Sequence, residues 1–357
     1  MAKSGKGQGS TKSHSGEWLG NGQQNNTVES RVTIDAVSID KRIQTVLDRS
    51  FYSPGGVVAT PLIYSDYLSE HSACNVYLKC ENLQTTGSFK IRGATSAILN
   101  LSDNDRRKGV ITASSGNHGA ATATAAQMQG IPVSIYVPTS ISRVKEKKIT
   151  DCGARLIKIV GAGENAEREA VKAAREEGLT YVSPYNHADV VAGQGTIAEE
   201  LLNDLPDLDA VFISVGGGGL ISGIGSFLKI RKPGVEIVGC WPENSPCMLA
   251  CMKAGKVIEV EETETLSDGT AGGLEDGALT LPLCQEVIST TVTVSESEIA
   301  QAMKLVHQHH GYVVEGAAGV ALAGLLKNPR QYAGKNVVIV LCGENISQDK
   351  FNLALGL

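Results

Sequence analysis

No excess of positive charge marks this 357-residue chain: 38 acidic residues stand against 32 Lys and Arg, a net charge of −6 at pH 7. A face built to neutralise the phosphates of nucleic acid or acidic lipid is therefore not expected. Long apolar runs are missing too. Met1 to Thr27 is mostly Gly, Ser, Lys, Gln and Asn around a single Trp18-Leu19 pair, and no stretch elsewhere approaches the roughly 20 apolar residues of a membrane helix. The eight cysteines (Cys74, Cys80, Cys152, Cys240, Cys247, Cys251, Cys284, Cys342) are scattered, and only Cys247 and Cys251 come close in sequence. Neither a disulfide framework nor a zinc spacing follows. Aromatic residues amount to 4%, no solenoid repeat is present, and no Pro- or Ser-rich linker divides the body of the chain. These absences leave a cytoplasmic chain with a small-molecule ligand, no membrane or nucleic-acid partner, and a disordered polar tail over residues 1–30.

What is there reads as an ordinary globular protein, 42% hydrophobic and 20% charged. Its length favours two lobes over one core. Apolar, β-branched runs recur at Val76-Leu78, Gly109-Ala113, Val133-Val137, Ala154-Val160, Ala210-Val215, Val235-Cys240 and Asn336-Leu341. Between and around them the spacing predicts helices over Asp35 to Leu47, Phe89 to Leu99, His118 to Gln129, Val144 to Thr150, Asn165 to Glu177, Thr196 to Leu202, Ile221 to Ile230, Glu296 to His309 and Ala317 to Leu325. Such alternation means an α/β fold with mostly parallel sheets covered on both faces. Ligands in these folds sit where strands end in Gly- or Ser-rich turns. With no linker in view, a second domain is expected as an insertion into the first.

Three motifs carry chemistry. In Thr86-Gly87-Ser88-Phe89-Lys90-Ile91-Arg92-Gly93 a turn opens a helix with one lysine in its first turn. Apolar neighbours and a helix N-terminus disfavour the charged form, which makes the amine a nucleophile toward an aldehyde; a solvated helix lysine fits the same residues equally well. Ser114-Ser115-Gly116-Asn117-His118-Gly119 follows a predicted strand and offers backbone N–H groups and short hydroxyls suited to a carboxylate, or merely to capping a helix. Gly216-Gly217-Gly218-Gly219-Leu220 follows another strand, and four glycines let backbone N–H groups close on a phosphate. It is not a Walker loop, and Cys240-Trp241-Pro242-Glu243 is a poor match for the acidic residue a dinucleotide fold wants. A lysine, a carboxylate nest and a phosphate cup in one α/β chain describe an aldehyde-bearing phosphate cofactor with an amino acid on it.

Together these motifs resemble the serine/threonine dehydratase and serine racemase family, in order and at compatible spacing from about Ile39 to the C-terminus. The resemblance implies fold type II of the pyridoxal-phosphate enzymes: a large domain with parallel or mixed sheet (31–108 and 187–357) and a smaller inserted α/β domain (109–186). It implies pyridoxal 5′-phosphate as cofactor and Lys90 as both Schiff-base lysine and proton acceptor from Cα. By motif, Phe89, Leu220 and the Gly216, Gly217, Gly218 and Gly219 backbone border the cofactor, Asn117 meets its ring hydroxyl, and Cys342 stands against the pyridine nitrogen. Ser114, Ser115, Asn117 and His118 fall where the family takes the substrate carboxylate. A neutral thiol makes the ring a moderate electron sink, suited to loss of a β-leaving group.

The implied reaction is conversion of a β-hydroxy amino acid such as L-threonine or L-serine to a 2-oxo acid and ammonia. The alternatives are a racemase, for which Ser115 would be the second acid-base, a dehydratase of another β-hydroxy amino acid, and a cofactor-less binding protein that merely keeps the fold. Trp241-Pro242 and Cys247 depart from the family's divalent-cation site, so no metal is expected there. Glu344 replaces a residue often small in the family. Leu357 follows the catalytic module closely, so the regulatory domain of biosynthetic threonine enzymes is not expected. His307, His309 and His310 read as a cationic helix end, Glu259, Glu261, Glu262 and Glu264 as a solvated connector, and a homodimer is the default assembly.

Overall fold

The computed structural model describes residues 34–48 and 50–357; the expected tail over 1–30 lies outside them. Among the described residues ten strands form: β1 Leu62–Tyr64, β2 Asn75–Lys79, β3 Val110–Ala113, β4 Val133–Pro138, β5 Arg155–Ile159, β6 Thr180–Tyr181, β7 Ala210–Ser214, β8 Glu236–Pro242, β9 Thr290–Val294 and β10 Asn336–Val340. They make two sheets, one in the order β1-β2-β10-β7-β8-β9 and one in the order β5-β4-β3-β6. All neighbours are parallel except β1 and β2. In the middle of the larger sheet Val338 lies beside Tyr77 on one side and Val211 on the other. Val337 to Val340 are fully buried, as a strand covered on both faces must be. The smaller sheet uses only residues 110–181, so the chain leaves the larger sheet after β2, builds the smaller and returns at β7. Ile34–Leu357 pack as one body.

The seven apolar runs all become strands. Three more, β1, β6 and β9, are short or alternate Thr with Val, too weak a pattern to stand out in sequence. Five helices were also not expected, Asp66–Ser72, Asp103–Lys108, Cys247–Ala254, Thr280–Val287 and Gln348–Leu355, each of them eight residues or fewer. The helix predicted over Thr196 to Leu202 is Ala188–Asp204. Gly193 and Gly195 argue against a helix by propensity, yet the fold needs both. A Cβ on Gly193 would run into the Arg92 carbonyl, and one on Gly195 would lie 2.8 Å from the Gly223 carbonyl. Three helices, Lys90–Leu99, Ala188–Asp204 and Gly219–Arg231, thus meet almost backbone to backbone.

A buried ion network sits at that junction. Arg92, fully buried, donates to Glu81 at 2.7 and 2.8 Å and to Glu200 at 2.6 and 2.9 Å, and Lys79 donates to Glu200 at 2.5 Å. Two cations and two carboxylates balance, which is what allows them to be buried. The network ties the end of β2 to two helices and holds the helix that Lys90 begins. The ends of β3 and β7 deliver two of the three turns to one cleft, and the turn before Lys90 is tied to the end of β10. Among the described residues no helix is long and apolar enough to cross a membrane.

Candidate active site

Lys90 opens its helix after a turn tied to the end of β10. Phe89 N donates to Cys342 O at 3.1 Å, Glu344 N donates to Gly87 O at 2.9 Å, and Ser88 pairs with Gly343. The ammonium lies 5.1 Å from the Phe89 ring centre and donates to the Pro184 carbonyl at 2.9 Å. Burial pulls its pKa down to about 8, against the opposing pull of Glu315 and Cys342.

At the end of β3, Gly116 N donates to Ser114 Oγ at 3.1 Å and the helix Asn117–Met128 begins. The first intrahelical bond runs from Ala120 N to Gly116 O at 3.2 Å, so the N–H groups of residues 117–119 have no partner within the helix. Gly119 is forced, because a Cβ there would strike the Ser114 carbonyl. Asn117 Nδ2 donates to both oxygens of Glu315 at 3.0 Å, and its Oδ1 accepts from Asn345 Nδ2 at 2.7 Å. The His118 imidazole is buried, with Nε2 2.9 Å from the Val182 carbonyl and Nδ1 without a partner. Burial, then the charge of Lys90, pulls it down to about 3, so it is neutral and its Nε2 is engaged with the main chain.

The glycine cup follows β7. Gly218 has φ +82°, and a Cβ there would lie 2.7 Å from Cys284 Sγ; one on Gly216 would lie 2.8 Å from Thr270 Cα, and one on Gly217 would enter the Tyr185 ring. The helix Gly219–Arg231 starts at once, so the turn presents backbone N–H groups at a helix N-terminus, the arrangement that takes a phosphate. Phe89, Lys90, Asn117, Leu220 and Cys342 line the same cavity of about 630 Å³ as the four glycines. Cys342 Sγ is 3.7 Å from Ser214 Oγ and 3.9 Å from Glu315 Oε1. Burial, reinforced by the Glu315 charge, pushes the thiol up, so it stays protonated and can donate.

A second cavity of about 460 Å³ holds Ser114, Ser115, Gly116 and His118. Residues common to both include Lys90, Asn117, Pro184, Gly269 and Glu315, and the two form one cleft with the lysine at the join. Every residue expected at the site therefore borders this cleft. Not foreseen were Glu315, Glu167, Tyr185 and the segment 268–275. Glu315 is buried before the helix Gly316–Lys327, and burial raises its pKa despite the Asn117 hydrogen bonds. Its one sequence signal is an acid alone between Val313-Val314 and Gly316-Ala317-Ala318-Gly319. Glu167 is likewise raised, first by burial and then by the charge of Glu275.

Trp241, fully buried, lies over Gly239, where a Cβ would come 2.6 Å from the indole ring. Among the described residues no three His, Cys, Asp or Glu side chains gather as a metal cluster. His309 stacks on Tyr67 with centroids 3.4 Å apart, and His310 Nε2 meets Ser65 Oγ at 2.8 Å.

A family model described as "Pyridoxal-phosphate dependent enzyme" matches residues 54–343. An L-threonine ammonia-lyase of Thermotoga maritima is 42% identical over 287 residues, 80% of this chain and 71% of that protein. A beta-hydroxyaspartate dehydratase of Paracoccus denitrificans is 38% identical over 291 residues, 82% of this chain and 92% of that protein. Among solved structures, maize serine racemase superposes with a TM-score of 0.81 at 29% identity, covering 91% of this chain and 97% of that one.

Proposed function

The chain belongs to the pyridoxal-phosphate-dependent enzyme family, and from that premise we propose that it is a dehydratase, an ammonia-lyase that takes a small β-hydroxy amino acid such as L-threonine or L-serine to a 2-oxo acid and ammonia. The observation that carries the reading is Lys90, its pKa lowered to about 8, at the join of a cleft with the glycine cup on one side and the Ser114 turn on the other.

The residues fit the cofactor. Cβ atoms at Gly216 to Gly218 would collide with their surroundings, and their absence leaves backbone N–H groups to face a phosphate. Asn117 would reach the ring hydroxyl, Cys342 would stand at the ring nitrogen as a neutral donor, and Lys90 would hold the aldehyde carbon. When bound, pyridoxal phosphate supplies an aldehyde for the amine and a ring that draws electrons from Cα. The N–H groups of residues 117–119 and the Ser114 and Ser115 hydroxyls orient the substrate carboxylate. The free amine of Lys90 accepts the Cα proton, which a side chain titrating near neutrality does best. The β-carbon–oxygen bond then breaks, and the hydroxyl leaves with a proton as water. The released enamine takes one water and loses ammonia, so water cancels overall.

Ser115 borders the same cavity as Lys90, which supports racemisation as a second activity, with the hydroxyl carrying a proton on the other face. Eight unpaired thiols, seven of them buried, support a reducing, cytoplasmic setting, and a homodimer is the proposed assembly. The test is release of 2-oxo acid and ammonia across L- and D-β-hydroxy amino acids, with Lys90→Ala as control. Lys90-dependent release from at least one L-substrate is expected; no release from any, with the cofactor bound, would overturn the dehydratase reading.

A further inference from the structure

One wall of the cleft is held by a carboxylate that no step above uses. Residues 268–275 form neither helix nor strand, and Gly269 and Ala271 border both cavities. One end of the segment is pinned: the Ser267 and Thr270 hydroxyls meet at 2.6 Å, Thr270 N donates to Ser267 O at 2.9 Å, and the Thr270 backbone presses on Gly216. The middle is held by a single bond among the described residues, from Gly272 N to Glu262 Oε2 at 2.9 Å. Ala271, Gly272 and Gly273 are exposed, Gly272 has φ +116°, and a Cβ on either glycine would meet nothing within 4 Å. Two glycines with open space around them have the most conformational freedom a chain can have, so one exposed bond from Glu262 leaves much of the ordering of this wall to its far end.

That far end is Glu275. Its Oε1 accepts from Ser183 Oγ at 2.7 Å, its Oε2 accepts from Asn186 Nδ2 at 2.9 Å, and its own N–H donates to Tyr185 Oη at 2.7 Å. Asn186 Oδ1 adds a bond from Leu279 N at 2.9 Å. All the partners belong to one strip, Ser183 to Asn186. The same strip offers the Pro184 carbonyl to Lys90 Nζ and lays the Tyr185 ring where a Cβ of Gly217 would go. Lysine, phosphate cup and wall are therefore referred to the same four residues.

We propose that Glu275 is a positioning and specificity-determining residue, which clamps the glycine-rich wall 269–274 onto the Ser183–Asn186 strip and so sets the room left for the β-substituent of the substrate. The carboxylate is suited to this because it accepts from both side-chain donors at once, and hydrogen bonds to a charged acceptor are the stronger kind. Tyr185 secures the same clamp from the main-chain side. Without the clamp the wall keeps its anchor at Thr270 and the exposed bond from Gly272 to Glu262, and loses its registration with the lysine.

The proposal rests on the dehydratase reading for its substrates, so one of its readouts is independent of activity. Holoenzymes of Glu275→Ala, Glu275→Gln and Tyr185→Phe are compared with the unaltered protein on L-serine, L-threonine and β-phenylserine, and each is exposed to thermolysin under native conditions. Glu275→Ala raises KM for L-serine about tenfold, leaves kcat within about threefold, and relaxes selectivity against β-phenylserine by about tenfold, the scale of a lost pocket contact. It also becomes nicked between Gly273 and Leu274, where the unaltered protein resists. Glu275→Gln, which keeps an oxygen for one donor, recovers part of both effects, and Tyr185→Phe shows a weaker version of them. An Ala variant that resists thermolysin and keeps the KM and selectivity of the unaltered protein overturns the proposal; should that variant not fold, an unaltered Gln variant does so. If no substrate reacts with the unaltered protein, the dehydratase reading fails while thermolysin still decides on the clamp.

Discussion

Replacing Arg92 with methionine, a side chain of similar length, takes a cation from the middle of a buried network and leaves its two carboxylates, Glu81 and Glu200, with Lys79 as the one cation among the described residues that pairs with them. Arg92 makes four hydrogen bonds to those carboxylates and one to Thr196 Oγ1 at 3.0 Å. With Glu81 fully buried and Glu200 nearly so, the remaining negative charge is poorly hydrated. Breaking a buried pair from one side costs about 3–5 kcal/mol. At roughly 2–4 °C per kcal/mol for a chain of this size or somewhat smaller, the melting temperature falls by about 6–20 °C. Calorimetry of the holoenzyme at neutral pH measures this directly. Glu200→Gln added to Arg92→Met brings the network back to charge balance and recovers part of the loss. Glu200 is raised by burial, but Arg92 and Lys79 outweigh that and hold its pKa below the usual glutamate range. Its stabilisation is thus present above that range, near pH 4.3, and is lost as pH falls through the lowered folded value. A cost below about 1 kcal/mol for Arg92→Met would refute the account, since it would mean that the carboxylates find other partners or water.

Gly217→Ala places a methyl in the Tyr185 ring. Overpacking of that kind costs about 1–3 kcal/mol, and spectroscopic titration of the apoenzyme with pyridoxal phosphate shows weakened binding, whereas Gly234→Ala, with nothing within 4 Å of the new methyl, leaves it unaltered. His118 has its folded pKa lowered to about 3 from 6.5. Stability is therefore fully present above the unfolded value and lost as pH falls from about 6.5 toward 3, at up to about 1.4 kcal/mol per pH unit. Between pH 6.5 and pH 5 the stability from urea melts falls by about 1.6 kcal/mol in the unaltered protein and markedly less in His118→Asn; equal losses would show that other groups carry the acid sensitivity.

Much of the site was legible because its parts are local. A lysine in the first turn of a helix, a Ser-Ser-Gly-Asn turn after one strand and four glycines after another each need only a few neighbouring residues to be recognised, and the fold returned all three to one cleft. His118 shows the limit: its place in the motif was readable, but the partner that turns its imidazole inward, Val182 O, lies 64 residues away. Glu315 was invisible for the same reason, since an isolated acid before a helix reads as a cap until Asn117, 198 residues earlier, is found against it.

The helix Ala188–Asp204 carries the same lesson for the fold. Propensity breaks it at Gly193 and Gly195, and only the close approach of two other helices explains why glycine stands there and why the helix continues. By itself, then, the sequence determined the α/β alternation, the seven principal strands and the chemistry of the three turns, because hydrophobic period and turn conformation are properties of adjacent residues. Tertiary structure alone decided the sheet order, the ion network around Arg92, the pKa directions and the clamp at Glu275, because each depends on burial and on distances between groups far apart in the chain.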